Sequence, residues 1–534
     1  MKRAFLLCAL LLPMLTAFAA RVGILTDTHV GFQGKKASIR LERCYRLFKA
    51  HKVDMIFHLG DIAEEHNPAF YREYAAVRDK VYPAGCPPEK FVFATHDRIG
   101  HVQKAGDPFF ADAYADVRRM LGIGHDRFHR FELEGFTFLL YPQARPHERV
   151  EAEVAAECAA HPGRPLFVLD HVPPLDTVNG SEFGGKSVLH GIFKNHPEVI
   201  VLTGHVHGSL AHEGKIWQGE YTALNFGAQK GDSVPDAPQM AAIMELTPEK
   251  AVFRRYDTKT GREWRGVTPW TLTFPFDPQT APYRPAVRAA QIPAPTFASD
   301  AKLGLVRLGE PLTAVEVTFP AAATPEVATY LVAVKVRSGT NWVVRSEQSC
   351  RADYATESTR RRKEFKARLA SGHFDSGETV RISVAPQDFY RRIGPAIESE
   401  FDVGTVEPWT VVCEAVPTPA KKGEWLSFKG DRTSFEIAAD AFLELPAKTP
   451  CRLVMEAAVD VSTNRFARFS GLLGPGGGSA WQRFYSPRGT SLRRYVIPMT
   501  PGAAGKKTLT LALEKAGRGR IRIDAFKIEC KGCK

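Results

Sequence analysis

The sequence predicts a multidomain chain, with an N-terminal α/β domain ahead of two β-rich domains. Three observations carry this. Short apolar runs alternate with helical patterns over residues 21–250, prolines punctuate the stretch from Pro269 to Pro295, and beyond residue 300 the helical pattern almost disappears. At roughly 150 residues per domain, 534 residues suggest three or four domains. A composition of 44% hydrophobic and 24% charged residues fits globular domains and excludes a largely disordered chain. Lys+Arg 71 against Asp+Glu 59 gives a net charge of +12, which permits weak attraction to anionic surfaces without singling out nucleic acid.

Lys2 and Arg3 precede an apolar run from Ala4 to Leu15, and Ala17-Phe18-Ala19 follows. That is the pattern of a signal peptide over residues 1–19, cut after Ala19. A retained membrane anchor is the rival reading, and the shortness of the run speaks against it. Beyond this segment no apolar run is long enough to propose a membrane span. The expected location is therefore secreted or periplasmic. Eight cysteines remain after cleavage, too few for a disulfide-built scaffold. Pairing of Cys413 with Cys530 or Cys533 is one guess, and the terminal Cys530-Lys-Gly-Cys533 is weak evidence for a redox or metal pair.

The first domain is expected over residues 21–265. Val22 to Thr26, Asp54 to Leu59 and Phe91 to Ala94 read as strands, with helices over Ile39 to Ala50 and Phe70 to Val77 between them. Phe136 to Leu140, Leu166 to Leu169 and Val199 to Leu202 read as later strands. A hairpin rhythm around Glu134-Gly135 predicts a mixed sheet. Residues 266–300 form a proline-rich linker or strap. Trp264, Trp270, Phe274 and Phe276 favour a strap lying on the first domain, because they are costly to leave wet. Residues 301–405 predict a small β-sandwich, with strands over Leu312–Phe319, Tyr330–Val336 and Val380–Ala385. Residues 406–534 predict a second, jelly-roll-like sandwich with strands such as Cys451–Val461 and Ile521–Ile528.

The chemistry-bearing residues sit in the first domain, each just beyond a predicted strand. They are Asp27-x-His29, Gly60-Asp61, His96-Asp97, His171 and Gly204-His205-x-His207. Loops at the carboxyl ends of adjacent strands can meet at one crevice. An isolated histidine there is more often hydrogen-bonded core than ligand, and an isolated Gly-Asp is more often a turn. The repetition is what counts. Three carboxylates and five imidazoles at the same structural place suit Mn, Fe, Zn or related divalent ions rather than calcium. A shared aspartate can bridge two ions about 3.5–4 Å apart, as two-metal hydrolysis requires.

These blocks, in this order, resemble the calcineurin-like metallophosphoesterase superfamily over residues 21–245. The resemblance implies a four-layer α/β sandwich with two mixed sheets between helices. It also implies two divalent ions of the Mn/Fe/Zn class. Asp27, His29 and His207 would hold the first, Asp61 would bridge, and His171 and His205 would hold the second. His96 would be the catalytic histidine beside the leaving oxygen, and Asp97 would orient it. The reaction implied is hydrolysis of phosphomonoesters or phosphodiesters, by direct attack of a hydroxide generated at the metal pair.

One block departs from the pattern. Ala94-Thr95-His96-Asp97 stands where the family has Gly-Asn-His-Asp. The family asparagine is a ligand of the second ion through its amide oxygen. Thr95 takes that place with a shorter, weaker donor, or the Gly-Asn pair is simply missing; either way the second ion is expected to bind more weakly. The alternative function is a weakened or inactive phosphoesterase fold serving as an extracellular binding module. In that reading the last domain is carbohydrate-binding, with Trp409, Trp425, Trp481, Phe484 and Tyr485 as stacking surfaces, although such aromatics are more often core. Substrates consistent with the first reading are phosphate-ester small molecules, or phosphorylated glycans or lipids, with cell-surface or polysaccharide contact through the β domains. Arg360 to Lys363 reads as a solvated charge run rather than a nucleic-acid stripe. No nucleophile elbow, dinucleotide fingerprint or P-loop is present.

Overall fold

A computed structural model describes residues 20–531 except 102–110, 144, 182–184, 230–238, 266, 278, 325, 355–360, 415–421, 430–431, 437–442, 446–449, 462–466, 475–478, 485–491, 500–504 and 515–517. The signal-peptide reading, Arg360, Tyr485 and Cys533 lie outside the described residues, as do the side chains of Cys413, Trp481 and Phe484. The chain forms two compact units, Met1–Arg288 and Ala289–Lys534.

The first unit holds two mixed sheets. In one, β1 (Ala20–Leu25) runs parallel to β2 (Met55–His58), which runs parallel to β3 (Glu89–Phe91). In the other, a hairpin of β4 (His129–Leu133) and β5 (Phe136–Leu140) leads into β6 (Leu166–Leu169), β7 (Val199–Thr203) and, after β8 (Ile216–Gln218), β9 (Thr222–Asn225). β5, β6, β7 and β9 are parallel, while β4 and β8 are antiparallel edges. The hairpin turn is Glu134-Gly135, with φ 51° and 80°, the left-handed pair that suits the twist of two joined strands. On the first sheet, β10 (Met240–Thr247) pairs antiparallel with β1, and β11 (Lys250–Asp257) with β10.

Helices follow from apolar spacing. In α1 (Lys35–Ala50) Ala37, Leu41, Cys44, Tyr45 and Phe48 recur at three- and four-residue steps and are buried, while Ile39 is exposed. α2 (Pro68–Val81) starts with Pro68 and is capped by Asn67, whose side chain accepts from Ala69 N at 3.0 Å. Together with α3 (Ala111–Leu121), these helices share an apolar cluster with the first sheet. α4 (His147–Ala160) and α5 (Ser187–Phe193) do the same on the second sheet. Between the sheets, Phe57 of β2 meets Phe138 of β5 at 5.6 Å, and Phe138 stacks on Phe167 at 4.5 Å. Each such buried ring is worth about 1.5–3 kcal/mol relative to exposure.

The start of the proline-rich stretch behaves as a strap. Trp270–Thr273 pairs with β11, and Trp270 is fully buried. Its indole N–H donates to Glu213 at 3.0 Å, and the Arg255 guanidinium lies 4.2 Å from its ring. Phe274 packs on Phe136 at 5.2 Å.

The second unit is built from strands. Gly304–Leu308, Ala314–Pro320 and Glu364–Ala370 form one sheet; Val327–Ser338, Asn341–Arg351, Thr379–Asp388 and Ile397–Asp402 form another. Both feed one apolar cluster that includes Val317, Phe319, Tyr330, Val332, Phe365 and Ile382. Two further five-stranded sheets follow, one centred on Cys451–Val461 and Arg518–Lys531, the other on Ala467–Gly474 and Gly505–Glu514. Asp375 ties the earlier strands to the later ones, reaching Arg452 at 2.7 Å, Arg494 at 2.8 Å and Arg345 at 3.5 Å.

Strand register bears on the cysteine pairing expected from the sequence. Cys530 lies opposite Cys451, and Cys413 opposite Ile528, so the guessed pairing of Cys413 with Cys530 does not match the register. The face of Trp409 is covered by Arg452 at 4.3 Å and Lys531 at 4.9 Å, and Trp425 by Arg520 at 4.6 Å. These contacts put cations of the protein itself against the two rings.

Candidate metal centre

Five parallel strands deliver their following loops to one place. Asp27 and His29 follow β1, Asp61 follows β2, His96 and Asp97 follow β3, His171 follows β6, and His205 and His207 follow β7. Backbone hydrogen bonds stitch these loops together. Asp27 N donates to Gly60 O at 2.9 Å, His29 N to Asp61 O at 3.1 Å, and Gly204 N to His171 O at 2.9 Å.

Two ligand groups result, and they share a residue. Asp27, His29, Asp61 and His207 form one; Asp61, His171 and His205 form the other. His207 Nε2 lies 3.0 Å from Asp27 Oδ1, and His29 Nε2 lies 3.8 Å from the same oxygen. Asp61 Oδ2 sits 3.1 Å from His171 Nε2 and 3.7 Å from His29 Nε2. Asp27, His29 and His171 are fully buried, and Asp61 nearly so.

The donor atoms fit divalent cations. His171 Nδ1 donates to Leu59 O at 2.7 Å, which turns its buried Nε2 toward Asp61 Oδ2 at 3.1 Å and Asp27 Oδ1 at 3.9 Å. His29 Nδ1 meets Glu64 Oε2 at 2.7 Å, so its Nε2 faces His207 Nε2 at 3.3 Å. Ring nitrogens turned toward each other and toward carboxylate oxygens call for a positive centre between them. The charges agree. Burial alone would raise the Asp27 carboxyl, yet His171, His207 and His29 hold it well below the usual carboxylate range. Burial opposes charge on His171 as well, but Asp61 and Asp27 lift its pKa to about 10. His205 is pushed down to about 4, first by burial and then by His171, which keeps it a neutral donor.

The third block is arranged differently from its sequence reading. Thr95, expected as a ligand of the second ion, donates from Oγ1 to Gln143 Oε1 at 2.5 Å, and its N–H donates to the same oxygen at 2.8 Å. The Oγ1 lone pairs stay available. Asp97 was expected to orient the His96 ring. Its carboxylate instead accepts from the backbone of Ile62 (2.9 Å), Ala63 (3.3 Å) and Ala94 (3.1 Å). Adjacent residues on a tight turn point in different directions, so Asp97 anchors the turn while its neighbour faces the opening. His96 Nδ1 is held by Glu64 O at 2.6 Å, and its N–H donates to Asp61 Oδ1 at 3.0 Å. Burial, with the facing Asp61 charge, pushes the Asp97 carboxyl up to about 7.

Glu64 and Gln143 were not picked out from the sequence. Glu64 stands three residues beyond Asp61, and Gln143 three beyond β5, the same strand-end position as the other loops. Asn225 closes the site from behind: it bonds Gly204 O through its amide nitrogen and accepts from the fully buried Lys215 at 2.8 Å. A cavity of about 490 Å³ lined by Arg78, Glu89, Lys90 and His125 opens at the other end of β3, away from these ligands.

Residues 20–209 match the model of the calcineurin-like phosphoesterase family. The N-terminal unit therefore carries a domain of that superfamily. Among solved structures, the chain is similar to GAP50, the anchor in the inner membrane complex of Plasmodium. Identity is 13%, 49% of this chain and 93% of that chain are covered, and the TM-score is 0.34. It is also similar to a conserved uncharacterized protein, a predicted phosphoesterase, from Streptococcus pneumoniae, at 13% identity, covering 48% and 97%, with a TM-score of 0.24. No match was found among curated proteins.

Proposed function

We propose that the first unit is a divalent-metal-dependent hydrolase of phosphomonoesters or phosphodiesters, acting outside the cytosol as a secreted or periplasmic protein. The observation that carries the reading is Asp61, shared by two adjoining groups of buried ligands. The proposed roles follow the groups: Asp27, His29 and His207 for one ion, His171 and His205 for the other, with the Thr95 hydroxyl supplementing the second. A bound pair of ions supplies Lewis-acid charge that lowers the pKa of water and neutralises developing negative charge. The chain's own residues do the rest. His96 is tethered at Nδ1 and partly exposed, so Nε2 is the atom free to face a leaving oxygen. As imidazolium it donates a proton there; as neutral imidazole it positions the ester. Asp97 fixes the turn that presents it. The β-rich regions are read as sandwiches that support the enzyme unit or hold it at a surface.

The test is hydrolysis of an aryl phosphate monoester and diester by chain loaded with manganese, iron or zinc. Activity with at least one substrate, abolished by Asp61→Asn, is the expected result. Failure with both at full metal loading favours the second reading, a binding module descended from an enzyme. Thr95 in place of an amide ligand is the feature that supports that alternative.

A further inference from the structure

Among the described residues, one set of metal-type donors in the first unit shares no residue with the shared-aspartate centre. His66 immediately precedes the Asn67 cap of α2, His101 follows the short helical turn His96–Arg98, and Asp116 lies on α3. One donor atom from each lies within 4.8 Å of the other two. We infer that His66, His101 and Asp116 form a third metal site, for a borderline divalent ion such as zinc.

The proton arrangement favours it. His66 Nδ1 donates to Asp97 O at 2.8 Å, which leaves Nε2 as the lone-pair nitrogen, 4.0 Å from Asp116 Oδ2. A ligating histidine characteristically gives its other N–H to a backbone carbonyl in this way, fixing tautomer and ring direction. The His101 ring stands nearly perpendicular to the His66 ring, with centroids 4.7 Å apart. His101 Nδ1 is buried and has no hydrogen-bond partner among the described residues. A buried ring nitrogen without a partner is costly, and an ion removes the cost.

The surroundings suit three protein ligands and one open position. His66 is 6% exposed at its side chain and Asp116 40%, so water reaches the set from the aspartate side. Asp116 Oδ1 is held by Arg119 at 2.6 Å, which orients the remaining oxygen toward His66. Zinc bonds of about 2 Å require neighbouring donors about 3.4 Å apart, so small side-chain rotations close the set. Two histidines and a carboxylate are a donor set zinc accepts.

Such an ion would join three segments. His66 N also donates to Ile99 O at 2.7 Å, and His101 N to Arg98 O at 3.1 Å. The site therefore grips the backbone turn that carries His96.

The test is zinc content per chain after saturation and removal of free metal, with thermal unfolding as a check on folding. His101→Ala and Asp116→Asn are each expected to lose one zinc relative to the unmodified chain. Asp61→Asn loses ions from the other centre, and the two losses add in the combined variant. Cobalt loaded into the Asp61→Asn chain should still give d–d absorption that His101→Ala removes; this holds even where the shared-aspartate centre binds nothing. Should His101→Ala fail to fold, Asp116→Asn and the cobalt spectrum decide. Equal zinc content in the unmodified chain and a folded variant, or a cobalt spectrum unchanged by the substitution, overturns the inference.

Discussion

Removal of the Glu64 carboxylate should weaken metal binding without disabling the chemistry. Glu64 Oε2 lies 2.7 Å from His29 Nδ1, and a carboxylate on that side of the ring favours the proton at Nδ1 and leaves Nε2 to offer the lone pair. Loss of such an outer partner costs about 10–100-fold in metal affinity, or about 1.4–2.7 kcal/mol. Glu64 is 30% exposed, so water partly replaces it and the lower half of that range applies. Glu64→Ala is therefore expected to weaken the tighter-bound ion about 10–30-fold. Glu64→Gln, which keeps an acceptor oxygen, should fall between that and the unmodified chain. The assay is competition against a chromophoric chelator at fixed pH. The same residue holds His96 Nδ1 through its backbone oxygen, which neither substitution removes. With metal saturating, kcat should then stay within about threefold. Unchanged affinity in Glu64→Ala would refute the assignment of His29 as a ligand oriented by Glu64. An equal loss of kcat at saturating metal would place Glu64 in the chemistry instead.

Three further outcomes are expected. Gly60 has φ +99°, and a Cβ there would lie 2.6 Å from His171 Nδ1 and 2.7 Å from Ala94 Cβ; Gly60→Ala should cost about 1–3 kcal/mol in denaturant unfolding and lower metal content by displacing His171. Burial would raise the Asp375 carboxyl, but Arg494, Arg452 and Arg345 hold it down at about 2 against an ordinary 3.8. Its contribution is thus complete above about pH 4 and lost as pH falls through about 2, so Asp375→Asn should cost about 1–2 kcal/mol near neutrality, after discount for partial exposure, and the difference should vanish in acid unfolding titrations. Cys451 and Cys530 are buried partners across paired strands 79 residues apart; in an oxidising compartment two thiols should give up two protons and two electrons to a disulfide oxidant, which is reduced to its dithiol, and the resulting link should add about 4 kcal/mol, read as a fall of two in the thiol count and a reductant-sensitive Tm.

Much of the first unit was legible because each element carries its own periodic signal. Phe136–Leu140 and Leu166–Leu169 agree residue for residue, since each is a short apolar run bounded by turn residues. α1 extends to Lys35 rather than Ile39 because its first turn is mostly polar and buries only the small Ala37, too weak an apolar signal to announce it. The motif residues converge because each follows a strand, and strand ends can be read from the pattern. Glu64 and Gln143 were not legible. Their roles depend on which loop lies opposite, and a single sequence does not record register between loops. The role of Asp97 was missed for the same reason: backbone amides of Ile62 and Ala63, more than thirty residues away, compete for its carboxylate.

The backbone itself marks the site. Asp27, His29, Asp61 and His205 all have positive φ, at 52°, 45°, 53° and 68°. A non-glycine residue in this region costs about 1 kcal/mol or more, and four such residues meet across the two adjoining ligand groups. Aspartate and histidine tolerate this region better than most residues, but tolerance alone does not place four of them together. The neighbouring loop does. Asp27, His29 and Val30 donate in turn to the carbonyls of Gly60, Asp61 and Ile62, so parallel pairing continues past the strand ends while the chain turns to aim its side chains inward. Two loops thus hold each other in a conformation neither would adopt alone. The geometry needed to gather Asp27, His29 and Asp61 is set by main-chain hydrogen bonds before any ion arrives, which is why substitution of one ligand should empty the site while leaving the fold intact.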